Sequence, residues 1–261
     1  MGSRFRSTGG AAASAALTLL TGAADAAASD EFAPITPYRP SVSSPAQLPA
    51  PGQIELEFGG LRQRSDDARR SSLPYLFKLA FSPAWGLLIG GDARVWQRDA
   101  SGRAQGLGDT SLVLKRAWIA DQVSAFGVEL GAKVPTANEP IGSGKADYSI
   151  NTIYSRDFGP VHMDANLNAL RLGLVDAGTS RTQWGASASF SGALTDHWGL
   201  TGELSGTHRA GADHSAQVLA ALAYSPSKFL TVDIGIVRAP RPTPATTSLF
   251  AGIVFPLAKL W

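Results

Sequence analysis

Strict alternation of apolar and polar residues is the main pattern of this chain, and it begins directly after Gly52. In residues 53–58, Gln-Ile-Glu-Leu-Glu-Phe, the three apolar side chains fall on one face and the three polar side chains on the other. A helix would scatter these two sets around its circumference, so the period of two predicts strands. The same alternation recurs in eleven later segments: 75–81, 87–95, 111–115, 126–133, 147–155, 162–169, 184–191, 198–207, 217–224, 230–236 and 249–257.

Twelve such strands predict an all-β fold over residues 52–261, a 12-stranded antiparallel transmembrane β-barrel. An even strand number brings both ends of a bacterial barrel to the periplasmic side. The connections fit this arrangement, because short ones alternate with longer, more polar ones. The short set is 82–85, 120–122, 157–160, 195–198 and 225–228, and the long set is 60–73, 97–108, 136–146, 172–181, 208–214 and 239–246. A soluble β-sandwich is the alternative, but it predicts short turns at both ends.

Aromatic residues lie near the predicted strand ends, where amphipathic rings favour the headgroup level of a bilayer. They are Tyr75, Phe81, Trp85, Trp118, Tyr154, Trp184, Trp198 and Tyr224. The chain ends in an alternating strand with a terminal aromatic residue, Trp261, which is typical of barrels recognised by the assembly machinery of the outer membrane. Lys259 departs from this pattern, because it occupies an expected apolar position.

Two segments precede the barrel. Arg4 and Arg6, the Ala/Leu-rich stretch 11–24 and an Ala-x-Ala site at 26–28 predict a secretory signal peptide over residues 1–28. Residues 29–51 contain six prolines, which predict an extended and irregular chain. We interpret this segment as a Pro-rich periplasmic N-terminal arm and a passive linker, with plugging of the lumen as the alternative.

Composition agrees with a membrane barrel. Charged residues make up 17% of the chain, against about 25% in soluble domains. The net charge of +2 gives no reason to expect a nucleic-acid partner, and the absence of cysteine excludes disulfides and a lipid-anchoring cysteine. Beyond the N-terminus, the sequence contains no apolar run long enough for a transmembrane helix. The predicted location is the outer membrane of a Gram-negative bacterium.

The predicted inner face carries charges of both signs together with many small residues. This composition predicts a passage that is open or narrow and that does not act as a filter of a single sign. Pairing among the charges is the simpler role of these residues. The candidate lumen-lining residues are Asp92, Arg94, Lys115, Glu129, Lys133, Asp147, Asn151, Asp164, Asn166, Asn168 and Glu203.

Catalytic, metal and cofactor sites find little support in the sequence. His214-Ser215 superficially resembles a lipid A deacylase motif, but Ala216-Gln217 stands where Asn-Ala should follow, and a solvated loop histidine is the better interpretation. His162 and His197 are isolated from other ligands, and no phosphate-binding or dinucleotide motif occurs, so we expect no metal and no cofactor.

Three motifs follow in a characteristic order: 106–109 (Gly-Leu-Gly-Asp), 131–136 (Gly-Ala-Lys-Val-Pro-Thr) and 142–147 (Gly-Ser-Gly-Lys-Ala-Asp). Their order resembles the outer-membrane β-barrel family labelled for the MetA pathway of phenol degradation, a group of proposed transporters. The resemblance implies passage of small, aromatic or hydrophobic compounds. From the residues themselves, we expect the motifs at the extracellular rim, where they would hold the loops over the pore mouth. The candidate rim residues are Gly108, Asp109, Pro135, Thr136, Gly142 and Gly144.

The sequence thus predicts an outer-membrane channel for passive passage of small molecules. A non-conducting structural or binding barrel is the first alternative, and a lipid-modifying outer-membrane enzyme is the second. The expected partners are outer-membrane lipids and lipopolysaccharide, the barrel-assembly machinery through the C-terminal strand, and a small-molecule solute. The sequence leaves the oligomeric state open.

Overall fold

A computed structural model describes residues 32–261 of the chain. The predicted signal peptide and the first residues of the arm lie outside the described residues. Within residues 32–261, no helix is long and apolar enough to cross a membrane.

The described chain forms thirteen strands joined in one antiparallel sheet. Their bounds are β1 (Gln53–Arg64), β2 (Arg69–Ala80), β3 (Trp85–Asp99), β4 (Gly102–Gly106), β5 (Thr110–Ile119), β6 (Ser124–Val134), β7 (Asp147–Phe158), β8 (Val161–Arg171), β9 (Thr182–Ala193), β10 (Trp198–Arg209), β11 (Ser215–Ser227), β12 (Leu230–Arg241) and β13 (Thr246–Lys259).

Twelve of these strands close into the predicted barrel, because β1 pairs with β2 on one side and with β13 on the other. The additional strand, β4, arises where β3 divides its partners. The first half of β3 pairs with β5, and its second half, Val95–Asp99, pairs with β4 in a hairpin that extends the wall on the extracellular side. Among the strands of residues 32–261, the sheet thereby leaves no free edge at membrane depth, as a lipid environment requires.

The two faces of the wall differ as the alternation predicts. Outward side chains such as Leu130, Leu167, Leu204 and Ile234 are exposed, whereas inward Lys78 and Glu55 are fully buried. Such an inversion of the soluble pattern, with apolar residues outside and charges inside, matches a wall that faces lipid. The closed barrel and its apolar belt place the chain in the bacterial outer membrane.

A bulge in β3 reverses the orientation that the alternation predicts for Arg94 and Val95. Between Ser72 and Pro74 the register of β2 against β3 shifts by one residue. A bulge inserts one extra residue and breaks the alternation of faces. Val95 is therefore fully buried on the inner face, whereas the Arg94 guanidinium lies 5.9 Å from the Trp96 ring, which is exposed on the outer face.

A second shift explains Lys259. The register of β1 against β13 changes between Ile54 and Glu55, so that Lys259 pairs opposite the inward Gln53. The alternation of β13 predicts an apolar residue at position 259. The register shift lies directly before Lys259 and breaks this alternation.

Several of the long connections are shorter than predicted, above all the first and the last. The first extracellular loop spans only 65–68 and the last only 242–245, because β1, β2, β12 and β13 continue beyond the predicted ends. Polar residues fill these strand extensions, and they carry no alternating signal that would reveal a strand. The loops at 135–146 and 172–181 are long, as predicted.

The Pro-rich segment does not extend into the periplasm as a passive linker. Residues 33–47 make hydrogen bonds to inward side chains on several strands of the barrel, so the arm lies inside the lumen. This corrects the interpretation as a periplasmic arm. The physical reason is that an extended proline-rich chain leaves its remaining N–H groups free, and inward carboxylates and amides accept them.

Candidate functional site: the plugged lumen

The arm enters the lumen beside the first strand. Ala33 N donates to Gln53 Oε1 at 2.8 Å, and Ile35 N donates to the Lys228 carbonyl oxygen, in the turn between β11 and β12, at 3.0 Å. Gln53 Nε2 returns a bond to the Ala33 carbonyl oxygen at 3.1 Å. Since these residues lie at the periplasmic end of β1 and β12, the arm is anchored at the periplasmic mouth.

Two glutamates of β1 then bind the arm backbone. Thr36 N lies 3.1 Å from both carboxylate oxygens of Glu55, and Tyr38 N donates to Glu57 Oε1 at 2.7 Å. Lys78 pairs with both acids, because its Nζ lies 3.0 Å from Glu55 Oε2 and 2.6 Å from Glu57 Oε1. A buried charge needs such a partner, so strand and arm satisfy each other.

Tyr38 forms the centre of the plug. Two lysine ammonium groups lie against its ring, with Lys78 Nζ 4.4 Å and Lys115 Nζ 4.2 Å from the ring centroid. Its hydroxyl donates to the Gln47 carbonyl oxygen at 2.7 Å and ties two parts of the arm together. Cation–π attraction strengthens when the cation is desolvated, as both lysines are here.

Arg39 makes the main charged contact between arm and wall. Its Nε and Nη2 each donate to Asp233 at 2.9 Å, a bidentate pair. The guanidinium crosses Gly59 and Gly252, which face each other across β1 and β13. A β-carbon at Gly252 would lie 2.4 Å from Arg39 Nε, so the absence of a side chain there is what admits the arginine.

The arm next crosses to the opposite wall. Val42 N and Ser43 N both donate to Glu203 Oε2, at 2.8 and 2.9 Å, and the Ser43 and Ser187 hydroxyls lie 2.8 Å apart. Asn166 Oδ1 accepts a hydrogen bond from Ser44 N at 2.8 Å, and Asn166 Nδ2 donates one to the Ser44 carbonyl oxygen at 2.9 Å.

The return path closes a ring inside the barrel. Ala46 N donates to Ser155 Oγ at 2.8 Å, and Lys115 Nζ donates to the Pro45 carbonyl oxygen. Leu48 then packs over Gly86 of β3, and Pro51 bridges to Ala80 at the end of β2. The arm thus contacts β1, β2, β12, β10, β9, β8, β7, β5 and β3, and it occupies the periplasmic half of the lumen.

Most of the predicted lumen residues belong to this network. Lys115 Nζ lies 3.1 Å from Glu129 Oε1, Asn151 Nδ2 donates to Glu129 Oε2 at 2.9 Å, and Asp164 accepts the Ser155 hydroxyl at 2.5 Å. Asn168 lies against Gly185 of the neighbouring strand, where a β-carbon would come within 2.6 Å of its side-chain oxygen. Their shared position is the inner wall facing the arm or just above it.

Four predicted lumen residues lie outside this network, and two of them, Lys133 and Asp147, pair with each other at the extracellular rim. Asp92 faces inward and forms an ion pair with Arg70 at 2.9 Å, on the extracellular side of the arm. Arg94 does not line the lumen, because the bulge in β3 directs it to the outer side with Trp96.

The rim motifs meet around Lys133. Its Nζ lies 3.1 Å from Asp109 Oδ2 and 3.0 Å from Asp147 Oδ2, and it donates to the Ser143 hydroxyl at 3.0 Å. Asp109 also accepts Ala137 N at 3.0 Å, and Asp147 accepts Gly173 N at 2.9 Å. One lysine thereby joins the loops at 135–146 and 172–181 at the extracellular mouth.

The glycine, proline and threonine positions of these motifs shape the same cluster. A β-carbon at Gly142 would lie 2.8 Å from Asp109 Oδ1, and one at Gly108 would lie 2.7 Å from the β-carbon of Asp92. Gly144 has a positive φ of 63°. Thr136 Oγ1 accepts Thr110 N at 2.9 Å directly after Pro135, where β6 has ended.

An apolar patch on the inner wall was not predicted. Leu219 and Ala221 of β11 pack against Phe250 of β13, with Leu61 and Val237 beside them. The buried Leu88 and Val95 add apolar surface on β3. The alternation reveals the outward residues of these strands, but it does not reveal that the opposite face is also apolar.

Two cavities remain beside the arm along β8, β9 and β10. One of about 560 Å³ opens between the arm and the periplasmic turns, and one of about 230 Å³ lies between Tyr38 and the wall. Arg39, His162, Ser191 and Thr201 border both of them. The arm therefore leaves space on one side of the lumen.

The histidines do not form a catalytic arrangement in the described residues. The Ser215 hydroxyl pairs with Thr207 Oγ1 at 2.8 Å, and within residues 32–261 no hydrogen bond joins it to His214. His162 lies between two carboxylates, with Nδ1 2.6 Å from Asp157 and Nε2 3.1 Å from Asp164. A nucleophile needs a base within hydrogen-bond reach, which this geometry does not supply.

Comparison with known proteins gives the fold and no family. No family model matches the chain, and no curated protein matches it. Among solved structures, the COG4313 outer membrane channel from Pseudomonas putida F1 aligns with a TM-score of 0.66 at 12% identity, over 85% of this chain and 100% of that one.

Two porins align less closely. The NanC porin gives a TM-score of 0.57 at 10% identity, over 77% of this chain and 100% of that one. The KdgM porin gives 0.54 at 10% identity, over 77% and 99%. These similarities show that the chain has the fold of outer-membrane barrels.

Proposed function

We propose that the chain is an outer-membrane channel for small molecules whose passage is controlled by the N-terminal arm. The observation that carries this proposal is the arm itself, which is held by polar contacts to a ring of inward side chains and leaves cavities on one side. These contacts join the arm to side chains of the wall. Breaking them leaves the backbone hydrogen bonds between the strands intact, so the plug can rearrange without unfolding the wall. The similarity to solved channels and porins supports the same role.

We further propose that the solute is aromatic or hydrophobic. The resemblance of the rim motifs to the MetA-pathway family supports this, and so does the inner apolar patch formed by Leu61, Leu219, Ala221, Val237 and Phe250. An apolar wall beside polar groups favours compounds with a ring and a small polar substituent. Within residues 32–261 the Ser215 hydroxyl pairs with Thr207, and no base contacts it, which does not favour a catalytic role.

A disulfide lock tests the proposal directly. The chain has no cysteine, and the hydroxyls of Ser43 and Ser187 are 2.8 Å apart, so the double variant Ser43→Cys/Ser187→Cys can join the arm to β9. We expect planar-bilayer conductance and liposome swelling with phenol to fall in the oxidised variant and to return on reduction. The single variants Ser43→Cys and Ser187→Cys serve as matched controls.

The non-conducting barrel is the second candidate, and the filled periplasmic half of the lumen favours it. It predicts that a folded barrel passes neither ions nor phenol, whether the disulfide is oxidised or reduced. That result would refute the channel proposal.

A further inference from the structure

A row of arginines crosses the outer surface of the barrel on its extracellular side. Arg64 pairs with Arg69 across β1 and β2, Arg69 with Arg98 across β2 and β3, and Arg98 with Arg103 across β3 and β4. On the other side of Arg64, Thr247 separates it from Arg238 of β12. All five guanidinium-bearing side chains are exposed.

The orientation of the row follows from the alternation of each strand. Arg64 lies six residues beyond Phe58, which is exposed on the lipid side, and Arg98 lies two residues beyond the exposed Trp96. Residues separated by an even number along a regular strand share a face, so the arginines point away from the lumen. Arg62, two residues before Arg64, adds a further exposed cation on the same face.

In the described chain, no acidic side chain forms an ion pair with an arginine of the row. Like charges directly opposite each other in an antiparallel pair are destabilising. Asp66, Asp67 and Asp99 are the neighbouring acids in the sequence, yet within residues 32–261 none lies within 4.0 Å of an arginine of the row. Asp99 accepts instead from Ser101 N at 2.8 Å.

The position of the arginine row along the membrane normal indicates which negative charges balance it. Trp96 is exposed on the outer face, and interfacial tryptophans mark the headgroup level. The arginines lie two residues farther out along the strands, about 7 Å at 3.4 Å per residue. A cavity of about 510 Å³ borders Arg69, Arg98 and Arg103 with Trp96 as its apolar side.

We propose that this row binds the phosphate groups of the glycolipid that forms the outer leaflet, lipopolysaccharide. Guanidinium groups bind phosphate through two parallel hydrogen bonds, which makes arginine better suited than lysine to this contact. Four adjacent strands at about 4.8 Å spacing give a row about 14 Å long, enough for more than one phosphate. The opposed charges then become favourable, because each phosphate is shared by arginines of neighbouring strands. The proposal depends on the outer-membrane location and is independent of conduction.

Binding of lipid A to the detergent-solubilised, folded protein tests the assignment. We expect diphosphoryl lipid A to bind the native chain, and the variant Arg69→Gln/Arg98→Gln to lose at least about tenfold in affinity. Arg116→Gln/Arg156→Gln is the matched control with the same change of charge, because these residues lie near the periplasmic ends of β5 and β7. It should bind lipid A unchanged. Arg69→Lys/Arg98→Lys should recover part of the affinity.

Two further measurements separate the phosphate contact from other causes. Dephosphorylated lipid A should bind weakly and equally to all variants, and inorganic phosphate should compete only weakly. Without lipid, the row variant should melt at the same temperature as the native chain or higher, because an opposed pair of charges is removed.

The assignment would be overturned by any of three results. Equal lipid A affinity in the row variant and the native chain would remove the role of the arginines. Tight binding of inorganic phosphate without binding of lipid A would remove the lipid. Failure of the row variant to fold, judged by heat-modifiable gel migration, would show that the arginines hold the sheet together.

Discussion

At the scale of single residues, a few side chains hold the arm, and glycines of the wall leave space for them. Arg39 reaches Asp233 across Gly59 and Gly252, where a β-carbon would lie 3.2 Å from its Cζ and 2.4 Å from its Nε. The Asp233 side chain is 1% exposed and that of Arg39 is 18% exposed. Removal of the acid therefore leaves a cation with little access to water, which is more unfavourable than removal of both partners.

The first prediction concerns this pair. Asp233→Ala should lower the free energy of unfolding by about 2–4 kcal/mol, and Arg39→Ala/Asp233→Ala should restore part of that loss. Urea unfolding of the protein in lipid vesicles measures both. Asp176→Ala, on an exposed loop, is the control and should change stability by less than about 0.5 kcal/mol. Equal losses in the single and double variants would contradict the ion-pair interpretation.

Tyr38 gives a second prediction, which separates ring from hydroxyl. Tyr38→Phe keeps the ring against Lys78 and Lys115 and loses the bond to Gln47, a loss of about 1 kcal/mol. Tyr38→Leu also loses two cation–π contacts between desolvated groups and should lose at least about 2 kcal/mol more. The same unfolding measurement distinguishes the two variants, and equal effects would show that the lysines do not depend on the ring.

At the scale of elements, alternation predicts the strands well where each face meets a different environment. It predicts twelve barrel strands because lipid outside and polar groups inside impose opposite requirements on successive residues. It fails at Arg94 and Lys259, where a bulge shifts the parity, since a bulge needs one extra residue and has no signature in hydrophobicity.

The arm could not be placed from its own sequence. Six prolines predict an extended chain, and such a chain fits a periplasmic linker as well as a plug. A usable signal lies in the wall instead. Gln53, Glu55 and Glu57 project inward from one strand. On β2 only Lys78 stands opposite them as a cation, and Lys259 of β13 lies opposite Gln53. An excess of inward acceptors indicates that donors must come from elsewhere.

At the extracellular rim, two loops meet around Lys133, and this contact gives a third prediction. Lys133→Met should free the loops at 135–146 and 172–181, because Asp109 and Asp147 lose their shared cation and repel each other. We expect proteinase K to cleave residues 135–146 faster in whole cells. Lys145→Met removes the same charge from an exposed position and is the control. Unchanged cleavage in Lys133→Met would show that the loops are held by their backbone bonds alone.

At the scale of the whole molecule, barrel and arm compensate each other's charges. The wall that surrounds the arm carries six acids and two lysines. The acids are Glu55, Glu57, Glu129, Asp164, Glu203 and Asp233, and the lysines are Lys78 and Lys115. Arg39 and the N–H groups of residues 36–43 supply much of the missing positive potential. The sequence predicts a lumen of mixed sign, and with the arm in place the structure has one.

Removal of the arm should therefore leave a lumen with an excess of negative charge. A variant lacking residues 33–50 but keeping residues 1–32 retains the predicted signal peptide and the wall with its excess of carboxylates. We expect it to fold, to conduct more than the native barrel, and to select cations, because rings of carboxylates attract them. The reversal potential in a gradient of potassium chloride measures this selectivity. Adding Glu203→Gln and Asp233→Asn to the deletion should reduce the selectivity, whereas Asp176→Asn should not. An arm-deleted barrel that conducts without ion preference would show that the wall acids compensate one another.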